Sequence, residues 1–145
     1  MNHEEWLLKL KIDKMVAIES DNFYEESEEL GNIAAEAFKD KDQQKGNSQI
    51  NGLKNICYSA HRLADIYDYI KRQTGRSEKE KKWGFKGFGS ELLQKLKGLG
   101  DCAQGIVEKA GIVEEEQKLA WQRQIHILLC REYVKHLAAH FLYRN

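Results

Sequence analysis

Apolar residues recur along this chain at spacings of one, three and four, the rhythm of an amphipathic helix. The clearest run begins at Ile50 and continues through Leu53, Cys57, Ala60, Leu63, Ala64, Tyr67 and Ile70. Asn47 or Ser48 can cap it and Gly75 can stop it, so the pattern predicts one helix over about 47–75. The opposite side carries Asn51, Lys54, Asn55, Tyr58, Arg62, Tyr69 and Arg72, which share one basic and aromatic line at about 100° per residue.

A second periodic run follows Ser90, a candidate cap. Leu92, Leu93, Leu96, Leu99, Ala103, Ile106, Val107 and Ala110 form its apolar face, and Gly111 ends it. Gly98, Gly100 and Gly105 interrupt this helix and predict a kink or a close helix contact. The last helix spans about 114–143. Trp121, Ile125, Leu128, Leu129 and Ala139 form one apolar side, and Ile127, Cys130, Val134, Leu137 and Phe141 form another. A helix apolar on two sides is packed from two directions, so this one belongs at the centre. Two polar strips remain on it: Gln124, Arg131 and Lys135, and Gln122, His126, Tyr133, His140 and Arg144.

The first forty residues predict two helices, near 3–17 and 20–39, although "LKLKID" also alternates with the period of a strand. The polar stretch "KDKDQQKGNSQ" contains Gly46 and reads as a linker. The expected fold is all-α: one helical domain of about five helices, with an acidic N-terminal segment over 1–40 and a basic helical core over 47–145.

Composition supports that class. The 145 residues fit one domain, and no proline is present to interrupt a helix. Cys57, Cys102 and Cys130 are odd in number and far apart, with no zinc spacing, which reads as reduced thiols in a cytoplasmic protein. The N-terminus lacks a signal core, and the longest strictly apolar run, 127–130, is too short to span a membrane. Net charge is zero, yet residues 1–40 hold eleven acids and four bases, a net of −7, against +7 for the remainder. Such a dipolar chain can hold a polyanion with one part while the acidic part meets basic neighbours; alternatively, the two halves attract each other within the fold.

The candidate chemistry concentrates in "KRQTGRSEKEKKWGFKGFG", residues 71–89. Lys71, Arg72, Arg76, Lys79, Lys81, Lys82 and Lys86 oppose only Glu78 and Glu80, a net of +5. Trp83, Phe85 and Phe88 lie among the cations. Such a segment can bind phosphates by charge and bases by stacking. The rings can equally fold onto the core, since an aromatic cluster just before a helix start looks like a hydrophobic staple. Lys54 and Arg62 extend the basic line along the preceding helix, and Arg131 and Lys135 add cations from the last one. His136 and His140 share a helix face but lack further metal ligands, so no metal is expected, and no nucleotide-cradling glycine motif implies a cofactor.

Two resemblances follow from short motifs. "REYVKH", Arg131 to His136, resembles the Arg-x4-His signature of HEPN ribonucleases, small helical domains that pair two such motifs across a dimer. That resemblance would make Arg131 the phosphate-contacting cation and His136 the general acid or base of a metal-independent ribonuclease. "SQINGLKNI", "DYIKRQTGR" and "LLCREYVKHLAAHFLY" together resemble the small subunits of type III CRISPR effector complexes, with Asn51 where that family usually has Arg. This second resemblance covers about 45–75 and 120–145. It implies a non-catalytic subunit that stacks beside a guide–target duplex, neutralises its backbone and bridges other subunits. The expected partners are therefore guide or target RNA or single-stranded DNA, other subunits of the complex and further copies of the chain, with no membrane. A third class, a helical adaptor that binds only protein, is separated from these by salt-independent binding.

Overall fold

The carboxamide of Asn2 accepts the Glu5 backbone N–H at 2.8 Å and opens the first helix, α1, His3–Asn22. "LKLKID" lies inside it, so the strand alternative does not hold. The chain bends at Phe23 and continues as α2, Tyr24–Ala37. The computed structural model describes residues 2–39 and 43–144, and among them the remaining helices are α3 (Gln43–Ser59), α4 (Leu63–Arg76), α5 (Phe88–Lys109) and α6 (Glu115–Arg144). A short 3-10 helix, Lys82–Gly87, joins α4 to α5. No strand occurs among the described residues. Residues 40–42, part of the expected linker, lie outside them.

The fold is all-α as expected, with six helices where about five were expected, because the segment 47–75 is two helices. The apolar rhythm runs through Ala60 unbroken, yet Arg62 is extended at φ −134°, ψ 142°. α4 then folds back along α3, and Tyr69 comes against Gly52. The buried phase resets: Ile66 and Ile70 are buried, while Ala64, expected on the inner face, is exposed. α3 also begins before either expected cap. Gly46 lies within it, buried against Phe38 and Phe141. Gly75 does not stop α4, which runs one residue further to Arg76 and is capped by Ser77.

α6 is the central helix. It packs on α1, α2, α3, α4 and α5, and buries Ile125, Leu129, Val134, Leu137 and Phe141. Its expected polar strips need revision. His126 and Tyr133 are buried, and Ala139 is exposed. His126 Nε2 donates to the Leu96 carbonyl at 2.7 Å, and its ring fills the space beside Gly100, where an added Cβ would come within 3.2 Å. That is the close helix contact expected of the glycine run; Gly98 and Gly105 face open space.

The acidic N-terminal segment belongs to the same core: Ile12, Val16, Phe23, Leu30, Ala34 and Phe38 are all buried with the rest. Cross-links join its acids to the basic part: Glu36 to Lys86 at 3.2 Å, Glu26 to Lys95, and Glu28 to His140 Nδ1 at 3.1 Å. α5 starts at Phe88, two residues before Ser90. Gly87 takes the left-handed φ of +69° that the turn requires, and the fully buried Phe88 ring anchors the start. Gly111, at φ +77°, closes the other end as expected. No helix among the described residues is long and apolar enough to cross a membrane.

Candidate nucleic-acid interface

The basic segment forms a strap, residues 77–87, pinned to the core by one side chain. Trp83 is 1% exposed. Its ring contacts Phe38, Tyr69 and Phe88 at centroid distances of 5.7, 6.2 and 5.4 Å. Its indole N–H donates to Gln49 Oε1 at 2.8 Å, and its backbone N–H donates to Ser77 Oγ at 3.3 Å. Phe88 is buried too. Trp83 is therefore a core residue, which corrects its expected place among the nucleic-acid-binding side chains: a ring enclosed on all sides offers no face to a base.

The charges behave differently. Lys71, Arg72, Arg76, Lys79, Lys81, Lys82 and Lys86 are all exposed. Lys81 pairs with Glu78 at 3.1 Å and Lys86 with Glu36 at 3.2 Å. Lys71, Arg72, Arg76, Lys79 and Lys82 make no ion pair among the described residues. Three strap residues other than glycine, Glu80, Lys82 and Lys86, hold positive φ values of 66°, 51° and 49°. Side chains with a Cβ pay a steric penalty there, and the buried Trp83 in their midst over-determines the conformation.

The hairpin of α3 and α4 changes the rest of the expected surface. One continuous basic line along a single helix is replaced by two ends. Arg76 and the strap lie at one end of the hairpin. Arg62 lies at the turn, about 20 Å away along the fourteen residues of α4, and its guanidinium is taken by Asp65 at 3.0 Å. Lys54 is half-buried on α3. Lys135 pairs with Glu132 at 3.3 Å on α6. The structure instead brings Gln49 and Gln73 to the strap, where they line a groove with Arg76, Lys81 and Lys82. Gln49 sits in the stretch read as linker; no local pattern marks it, because only the fold-back places it there.

Arg131 and His136 turn to different neighbours. Arg131 donates from Nε to the Cys57 carbonyl at 2.8 Å and from Nη2 to the Tyr58 carbonyl at 3.1 Å, with the Tyr58 ring 5.8 Å away. These are two of the carbonyls that α3 leaves without helical donors where it ends. Its guanidinium thus caps α3, and this role corrects its expectation as a free phosphate-contacting cation. His136 faces α1 and α2: its Nε2 lies 2.6 Å from Ser20 Oγ, and its ring meets Tyr24 edge-on at 5.0 Å. Burial holds the His136 imidazole below its ordinary value, with Glu132 and Asp21 opposing and Lys135 assisting. A histidine depressed in the folded state favours folding above its unfolded value, about pH 6.5, and that contribution is lost as pH falls through the lower folded value. Denaturant midpoints measured from pH 7.5 to 5 are therefore expected to decline, and His136→Gln is expected to flatten the decline.

Cys57 and Cys130 are buried and Cys102 is half-buried, all as free thiols. Burial pushes the Cys57 thiol up to about 12, with Arg131 opposing, which leaves it unreactive at neutral pH. No protein-family model, curated protein or solved structure matches the chain.

Proposed function

We propose that the chain is a non-catalytic helical subunit that binds the phosphate backbone of a nucleic acid without reading its sequence, and that it bridges neighbouring subunits of a type III CRISPR effector complex. The observation that carries this reading is a set of five exposed cations that make no ion pair among the described residues, Lys71, Arg72, Arg76, Lys79 and Lys82, on the last turns of α4 and the strap. Trp83 and Phe88 are buried and the half-buried Phe85 ring has the Lys86 ammonium 5.4 Å from its centre, so charge dominates the strap's outer face and favours backbone contact over base stacking. The three segments that resemble the small subunits lie on α3, α4 and α6. Away from the strap, α1 exposes Trp6, Leu7, Leu10 and Ile18 on one side of the helix, in the acidic part of the chain. An apolar row among acids suits a protein neighbour.

The test is the salt dependence of binding to unrelated single strands. Three or four phosphate contacts at roughly 0.7 each give a log K against log salt slope of about −2 to −3. Replacing Arg76, Lys79, Lys81 and Lys82 together with Ala is expected to weaken all sequences alike and to flatten that slope, with the fold unchanged. An unchanged slope in the quadruple variant would assign the charge to protein partners instead.

A further inference from the structure

We infer that the last turn of α4 and the strap form a seat for a single phosphate group. The inference rests on the nucleic-acid reading and narrows it from a charged surface to one anchored contact.

The groove at this point has a volume of about 380 Å³, at the small end of ligand sites, which run roughly 300–1,000 Å³. Arg76, Lys81 and Lys82 line it with the amide side chains of Gln49 and Gln73, and Trp83 contributes to its wall. Among the described residues that line it, Glu78 is the one carboxylate, and it is held by Lys81 at 3.1 Å. Arg76 and Lys82, also in the lining, make no ion pair among the described residues. A guanidinium fork, an ammonium and neutral amides are the donor set that a tetrahedral oxyanion takes.

Two features make this a prepared site. The wall is tied together before any ligand arrives: Trp83 donates to Gln49 and Ser77, and Ser77 Oγ donates onward to the Gln73 carbonyl at 2.9 Å. The Gln49 amide is thereby held in place in advance, and a group already fixed loses little freedom when it binds. The second feature is Lys82 itself, at φ 51°. Glycine would take that conformation without penalty. What a lysine adds at the same place is an ammonium beside the groove. The exposed Lys71, Arg72 and Lys79 nearby suit an anion that repeats, as a nucleic-acid backbone does. An acidic peptide would be expected to find apolar footing as well, and the ring that lines this groove is buried.

The experiment uses the full chain labelled with nitrogen-15, titrated with inorganic phosphate and with a short single strand bearing either a 5′-phosphate or a 5′-hydroxyl. The Trp83 indole signal and the Ser77 and Lys82 amides are expected to shift with both phosphate and strand. A shift with both strand forms assigns the seat to an internal phosphodiester, and one confined to the phosphorylated strand assigns it to a terminal phosphate. Lys82→Gly is expected to weaken binding about tenfold, the loss of one charge-assisted hydrogen bond, without lowering the unfolding transition. Lys109→Ala removes the same charge at the far end of α5, away from the groove and the strap, and is expected to change affinity far less. Equal losses in the two variants overturn the seat and leave the charged surface standing. Phosphate binding without strand binding keeps the seat and removes the nucleic-acid reading. Displacement of phosphate by polyglutamate at matched charge, or silence of the Trp83 indole in every titration, overturns the seat.

Discussion

Trp83→Ala is expected to lower the unfolding free energy by about 3–5 kcal/mol, the usual cost of removing a large buried aromatic. The ring is 1% exposed. It touches Phe38, Tyr69 and Phe88, three residues from separate parts of the chain. Truncation leaves a cavity among them and an unpaired Gln49 carbonyl oxygen. The strap should loosen with it, because Glu80, Lys82 and Lys86 keep their left-handed conformations only while the strap is anchored. Urea unfolding followed by circular dichroism measures the first effect, and amide exchange across 77–87 the second. Full stability combined with lost nucleic-acid affinity would instead make the ring a stacking platform.

Arg131→Ala is expected to cost about 1.5–3 kcal/mol, the range for hydrogen bonds made by a charged group, with the part-buried bond to Cys57 weighing more than the exposed one to Tyr58. The guanidinium serves two carbonyls at the end of α3, at 2.8 and 3.1 Å. Its positive charge also sits at a helix C-terminus, where the backbone dipole favours a cation. The amides of the last turn of α3 should exchange faster in the variant. Arg131→Lys keeps the charge but not the planar fork, so it should recover only part of the loss. This experiment also separates the two motif readings. A catalytic arginine would leave stability intact and abolish RNA cleavage on substitution. The expected result is a destabilised protein and, for the wild type, single-stranded RNA left uncut.

The α-helical class was legible from the period of the apolar residues and the missing proline. The position of α6 was legible as well, because Ile125 and Leu129 on one side and Val134 and Leu137 on another need partners in two directions, and all four are buried. The exposed charge of residues 71–86 followed from their composition, since seven cations cannot be buried without partners. These properties are local, or are sums of local preferences, and a sequence carries them directly.

The tertiary structure decided the rest. Nothing between Ile50 and Ile70 announces a break: the rhythm continues, and neither proline nor glycine occurs at 60–62. The break becomes affordable because Arg131, more than seventy residues away, supplies donors to the carbonyls it frees. The same fold-back carries Gln49 to Trp83, which turns a ring that could have faced solvent into a wall of the core. A backbone carbonyl accepts a donor from any distance along the chain, so the end of α3 and the shape of the groove are properties of contacts that only the folded molecule makes.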